Sequence, residues 1–472
     1  MSEAIIVGSG PNGLVCGAVL ARAGMKVTVL EAEARIGGGT RTSELTLPGL
    51  LHDDCSAVHV MAVGAPSLNE LGLERHGLQW CWPEVDLVHP LDGGSAGVMV
   101  RSIADTAAGL GEDGRRWQRV FSSPSRGFAA LSEDIMRPLL HVPHHPLRLL
   151  RFGLAAAMPA TLLARKFRTE EARALWGGCA AHAFSPLSRP MSSSVGMALI
   201  CAGHLYGWPV ARGGSRAISD ALAAVIREHG GSLETGRRVA SLSELPPADA
   251  IVLDLAPGAV AEIAGERLPA RVARAYRRYR HGPGAFKMDL AVTGGVPWTS
   301  EAARRAGTVH AAGSFAEIVA CERLINRGRM PERPFVLVCQ QSLADPTRAR
   351  GDVHPVWAYA HVPHGYTGDA SEALLDQIER FAPGLRERIV AKAVRSSTEI
   401  ASHNANYIGG DIITGANTPL QTVIRPRLAL DPYSTGIPGV FICSAATPPG
   451  AGAHGMNGHN AAKSVLRSLG SA

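Results

Sequence analysis

Three glycines at 8, 10 and 13 and a glutamate at 31 carry the most specific chemistry in this chain. Ile5-Ile6-Val7 runs into Gly8-Ser9-Gly10-Pro11-Asn12-Gly13, and Val27-Thr28-Val29-Leu30 ends on Glu31. A diphosphate must lie against bare backbone at the positive end of a helix. Gly8 permits the sharp turn, Gly10 removes a side chain from where the phosphates would lie, and Gly13 lets the helix pack on the strand. Pro11 and Asn12 open that helix, whose first N–H groups face the anion. Glu31, about twenty residues beyond Gly8, stands where a carboxylate accepts hydrogen bonds from an unphosphorylated ribose, with Ala32 beside it. These parts predict a strand, turn, helix and strand that hold the ADP half of a dinucleotide.

The spacing recurs at Gly109-Leu110-Gly111-Glu112-Asp113-Gly114, but no apolar strand precedes it and two acids would repel phosphate. It reads as a surface turn before a helix carrying Trp117 and Val120.

Arg35-Ile36-Gly37-Gly38-Gly39-Thr40-Arg41-Thr42 follows the acid directly. It resembles the R-x-G-G-x-x-S/T extension of FAD-binding flavoproteins in the amine oxidase and phytoene desaturase superfamily. The resemblance implies that Arg35, Gly37, Gly38, Gly39 and Thr40 lie at the FAD pyrophosphate. Near the other end, Gly439-Val440-Phe441-Ile442-Cys443-Ser444 reads as a buried strand. Ala445 to Asn460, containing Thr447-Pro448-Pro449-Gly450 and His454-Gly455-Met456-Asn457, resembles the flavin segment of the phytoene dehydrogenase-related branch. That likeness implies that Ser444, Ala445, Gly455, Met456 and Asn457 bring backbone donors to the pyrimidine side of a flavin, where negative charge appears on reduction. Between the two ends, a helix at 217–228 and a strand from Ser232 to Val239 resemble the segment crossing beside the adenine, with Val239 at its edge.

Together these expectations describe an α/β protein: a Rossmann-like FAD-binding domain of the glutathione reductase type with an inserted α+β substrate domain. The first domain takes 1–60, 208–280 and 420–472, including a buried strand at 249–254. The second takes 61–207 and 281–419, helical at about 115–205 and strand-rich from Ala285 to His361. The length of 472 residues suits two or three lobes. Forty-seven basic against forty-one acidic residues, spread along the chain, do not suggest nucleic-acid binding. A strand beginning by Ala4 and the lack of a run of eighteen apolar residues point to a cytoplasmic protein.

None of the eight cysteines forms a Cys-x-x-Cys pair, so dithiol redox chemistry is not expected. Cys179 with His182 and Cys201 with His204 have helical ligand spacing, yet both lie in apolar stretches where Cys is ordinarily a small core residue, so no metal is assigned. From Pro146 to Lys166 basic residues are set among leucines and alanines. Such a helix suits a membrane interface, but the preferred reading is a core helix with snorkelling arginines, or contact with a second copy in a homodimer.

The catalytic residues are the least legible. His454, in the loop assigned to the flavin, suits a base or a turn-stabilising residue, and Tyr407 in Asn404–Asp411 suits a cavity wall, as does Asp411. The resemblance implies hydride removal from a C–C or C–N bond of a largely apolar small molecule onto FAD, followed by transfer to oxygen or a quinone-like acceptor. Two alternatives stand beside it: flavin-dependent isomerisation of a polyene-like substrate, and a flavin-free binding role like that of GDP-dissociation inhibitors.

Overall fold

The structure, a computed structural model, describes residues 2–470. Its first sheet is five-stranded and wholly parallel, in the order Val440–Ile442, Ala250–Leu253, Glu3–Val7, Lys26–Leu30 and Ser232–Glu234. Helices cover both faces of such a sheet, which explains why Ile6, Val27, Val29, Val252 and Ile442 are all fully buried. The helix Pro11–Arg22 joins the two strands that sit side by side at the centre, one crossover unit of about twenty residues.

The second sheet has seven strands and mixed direction, in the order Ile389–Arg395, Gly284–Thr293, Val353–Val362, Val336–Cys339, Ala306–Ala311, Val85–Pro90 and Ala96–Met99. Period-two alternation gives it two unlike faces. Phe286, Met288, Leu290, Val292, Val356, Ala358 and Ala360 pack in one core under Leu374, Ile378 and Phe381. Trp357 and Tyr359 turn the other way, into a core shared with the helices between Ile103 and Tyr206, where Trp117, Phe121, Phe167 and Trp176 are enclosed. Each such side chain contributes about 1.5–3 kcal/mol of hydrophobic burial.

Four sequence boundaries shift. Residues 62–78, expected with the substrate lobe, pack through Leu68, Leu71, Leu73 and Leu78 into the core of the parallel sheet. The strand after 232 ends at Glu234, because Gly236 takes φ +70° and turns the chain before Val239. The basic, leucine-rich stretch at 146–166 is two helices, Pro146–Ala156 and Ala160–Ala164, with Pro159 as the N-cap of the second. The strand expected at 249–254 stops at Leu253, which leaves Asp254 beyond the sheet edge.

Candidate functional site

The glycine turn sits at the carboxyl edge of the parallel sheet, where α/β folds bind ligands. Gly8, at φ +98°, donates its N–H to Leu30 O at 2.8 Å and so ties the turn to the neighbouring strand. Gly10 caps the helix Pro11–Arg22. A Cβ on Gly13 would lie 2.2 Å from Gly8 O, so glycine here is a packing requirement. At Gly10 the constraint differs from expectation: a Cβ would meet the Asp254 carboxylate at 2.5 Å. Asp254 accepts the Gly13 N–H at 3.0 Å, and burial pushes its pKa up to about 7, with the Glu31 charge adding to the rise.

Glu31 is buried and accepts hydrogen bonds from Ser9 N, at 2.9 Å, and from Ser9 Oγ. Its positive partner is Arg41, at 3.4 Å, with both side chains shielded from solvent. Arg35, given the pyrophosphate-side role from the sequence, is exposed and donates to Ser43 Oγ. The 3-10 turn Gly38–Thr40 turns the chain between them, so Arg41 faces the cleft and Arg35 the solvent. Gly37 stays behind the cleft wall, donating to Ser9 O at 2.9 Å, whereas Gly38, Gly39 and Thr40 line it. A Cβ on Gly38 would come within 2.9 Å of Gly10 Cα, so the two glycine turns are pressed together as only glycine allows.

Segments near the two ends of the chain meet here. The helix Met456–Ser468 packs on Pro11–Arg22 so closely that a Cβ on Gly458 would stand 1.8 Å from Asn12 O. One cavity of about 890 Å³ is lined by Gly8, Gly10, Pro11, Asn12, Glu31 and Ala32 at one end. Val239, Ser444, Ala445 and the loop Pro448–His454 also line it. Gly455, Met456 and Asn457 lie one step behind this wall. Gly455 is the left-handed N-cap, Met456 belongs to the core, and Asn457 donates to Ser444 O and Thr447 O to brace the loop.

His454 lines the cavity, with its Nδ1 accepting the Met456 N–H at 3.1 Å. Burial draws its pKa down to about 4, so the ring is neutral and one nitrogen is spent on the turn. Tyr407 also lines the cavity. Its hydroxyl stands 2.3 Å from where a Gly39 Cβ would be, and burial pushes its pKa well up. Asp411 does not line the cavity. Its carboxylate receives Gly282 N, Ile413 N and Gly415 N, which makes it the anchor of a turn.

Beyond the nucleotide end the cavity becomes an apolar chamber walled by Leu337, Trp357, Tyr359, Val195 and Leu199. Several groups here are not evident from the sequence. Lys287, almost wholly buried, is paired with Asp289 and lies 5.8 Å from the centre of the Trp357 ring. Asp289 is 3.4 Å from His52. Two charges inside the otherwise apolar strand Gly284–Thr293 are the available signal. His59 lines the cavity, shares a 2.9 Å hydrogen bond with Ser215 Oγ, and is drawn down to about 4 by burial. His182 reaches the chamber and meets His310 Nε2 to Nε2 at 3.0 Å, so one ring donates and the other accepts. Arg425 brings a buried guanidinium beside Gly450 of the C-terminal loop.

The donor set fits a dinucleotide: a glycine turn at a helix start, a buried acid at the second strand and a long apolar extension. Residues 6–71 match the family model of the NAD(P)-binding Rossmann-like domain. The chain is 24% identical over 555 aligned residues to the pyridine nucleotide-disulfide oxidoreductase domain-containing protein 2 of Rattus norvegicus, covering 99% of this chain and 94% of that one. A shorter match, 37% over 83 residues, covers 18% of this chain and 15% of one of the limonene dehydrogenase subunits of Castellaniella defragrans. Among solved structures, an oxidoreductase from Methanosarcina mazei superposes with TM-score 0.64 at 16% identity, over 98% of this chain and all of that one. Cyclohexylamine oxidase from Brevibacterium oxydans gives 0.60 at 16%, over 99% of both chains. The chain thus has an α/β fold with a Rossmann-like dinucleotide-binding unit, and an amine oxidase is among its structural neighbours.

Proposed function

We propose that this chain is an FAD-dependent oxidoreductase that removes a hydride from a C–C or C–N bond of a largely apolar small molecule. The supporting observation is the single cavity running from the glycine turn and Glu31, past the Pro448–His454 loop, into the chamber beside Trp357 and Tyr359. The names of two relatives are in keeping with such bonds: one belongs to a limonene dehydrogenase and one is a cyclohexylamine oxidase.

When bound, FAD supplies the hydride acceptor and gathers negative charge on its pyrimidine side as it is reduced. The turn at Gly8–Gly13 would hold the diphosphate, and Glu31, held by Ser9 and Arg41, would accept hydrogen bonds from the ribose hydroxyls. Asp254, whose pKa is raised to about 7, is protonated below that pH and there adds no repulsion toward phosphate. Arg425 supplies positive charge near the C-terminal loop. Trp357 and Tyr359 orient an apolar substrate and exclude water. His182 and His59 present neutral rings to the cavity wall, and with pKa values drawn down to about 3 and about 4 they serve as hydrogen-bond partners rather than as bases. Oxygen or a quinone-like compound is the proposed final electron acceptor.

Purified protein reconstituted with FAD is expected to be yellow, absorbing near about 450 nm as bound flavin does, and to bleach anaerobically with an apolar reductant. Colourless protein after reconstitution would instead support a flavin-free binding role. Rapid bleaching by NADPH alone would replace dehydrogenation with reductase chemistry.

A further inference from the structure

The apolar chamber opens at the helix Pro146–Ala156, and that helix has two apolar faces. Leu149, Phe152, Gly153 and Ala156 line the cavity. Leu147, Leu150 and Leu154, spaced three and four apart, form a stripe facing solvent at 71%, 58% and 65% exposure. Leu140 and Val142, in the preceding loop, are 52% and 86% exposed. Leu139 and Val423 both line the cavity and stay exposed, so they mark its mouth. The loop is held in place by Asp134, which accepts His144 N, His145 N and the His141 ring.

Charge around this mouth is mainly positive, with Glu133 and Asp134 at its edge bound to His141, His144 and His145. Residues 135–168 contain no Asp or Glu, and they carry Arg137, Arg148, Arg151, Arg165, Lys166 and Arg168. A two-fold contact would set this face against itself, and a patch with six basic side chains and few acids repels its own copy. Exposed leucines flanked by arginines have a better counterpart in an anionic bilayer. The leucines enter the acyl boundary, and the guanidinium groups reach the lipid phosphates.

We infer that this face docks on anionic membrane surfaces and seats the cavity mouth on the bilayer, from which an apolar substrate enters. The substrate clause rests on the oxidoreductase reading, whereas docking is independent of it and is tested without turnover. The full chain is sedimented with phosphatidylcholine vesicles and with vesicles containing about one-third phosphatidylglycerol, at low and high salt. Partitioning is expected to be at least about tenfold stronger on the anionic vesicles and to weaken with salt. Combining Leu147→Ser, Leu150→Ser and Leu154→Ser removes at least about tenfold of it while leaving thermal unfolding unchanged. Arg148→Gln with Arg151→Gln abolishes the preference for anionic lipid. As a direct reporter, Leu150→Trp shifts its emission to the blue only on anionic vesicles.

No binding at low salt, or undiminished binding by the serine variant, overturns the inference. A leucine-dependent dimer that ignores vesicles overturns it as well. Colourless protein that still binds vesicles would leave docking intact and remove only the flavin reading.

Discussion

Asp254 and Gly13, 241 residues apart in sequence, are joined by a 3.0 Å hydrogen bond at the start of the helix Pro11–Arg22. The carboxyl group thereby occupies an N–H of the helix terminus to which a diphosphate would bind. With its pKa raised to about 7, Asp254 is protonated in the folded state over a range where the unfolded chain, at 3.8, has already ionised. The unfolded state therefore binds fewer protons between about pH 4 and 7, and the contribution of Asp254 to stability is lost as pH rises through that window. Asp254→Asn keeps the acceptor for Gly13 N–H and is expected to raise apoprotein stability at pH 8 by about 1–3 kcal/mol. Thermal melts at pH 5.5 and 8, with and without FAD, measure this, and FAD affinity in the parent is expected to fall with rising pH more than in the variant.

The buried histidines act in the opposite sense. Burial lowers the pKa of His59, His89, His204 and His454 to about 4, of His182 to about 3, and of His310 well below its usual value. A folded-state value below 6.5 means that the unfolded chain binds more protons between about pH 6.5 and 4, so stability falls on acidification. Chemical denaturation across pH 4–7 is expected to show several protons taken up on unfolding. His310→Gln is expected to lower that number by about one.

Arg41 rather than Arg35 is the arginine that matters to the acid at the end of the second strand. Arg41→Gln leaves Glu31 buried without its cation and is expected to weaken FAD binding by about tenfold or more, a loss typical of one charged hydrogen bond. Arg35→Gln, removing an exposed contact to Ser43, is expected to change it less than about twofold. Titration of flavin fluorescence separates the two, and equal losses would return the role to Arg35.

Lys287 and Asp289 form a buried pair, so each is costly to remove alone. Lys287→Met is expected to destabilise the fold by about 3 kcal/mol because Asp289 keeps only His52 nearby. Lys287→Met with Asp289→Leu is expected to recover much of that loss. Urea midpoints of the parent, Lys287→Met, Asp289→Leu and the double variant form the required cycle.

The nucleotide end is readable in the sequence because its demands are local: a glycine turn, a helix start and an acid at one strand interval leave little freedom in spacing. What sequence does not show is which way a turn rotates its side chains. Gly37 at φ +113° and the 3-10 turn after it exchange the roles of Arg35 and Arg41. The same effect carries Gly455, Met456 and Asn457 behind the wall that Ala451–His454 present to the cavity. The roles of Asp254, Lys287 and His182 are hidden for another reason. Their significance comes from partners 241, 70 and 128 residues away, and a single chain read in order carries no record of such meetings.

The five-stranded sheet also constrains the order in which the protein can be made. Its edge strand, Val440–Ile442, pairs with Ala250–Leu253, and the helix that follows it clamps Pro11–Arg22. A nascent chain emerging from the ribosome therefore holds apolar strand edges open until a partner strand hundreds of residues downstream has been made, and until then those edges are exposed to mispairing with other chains.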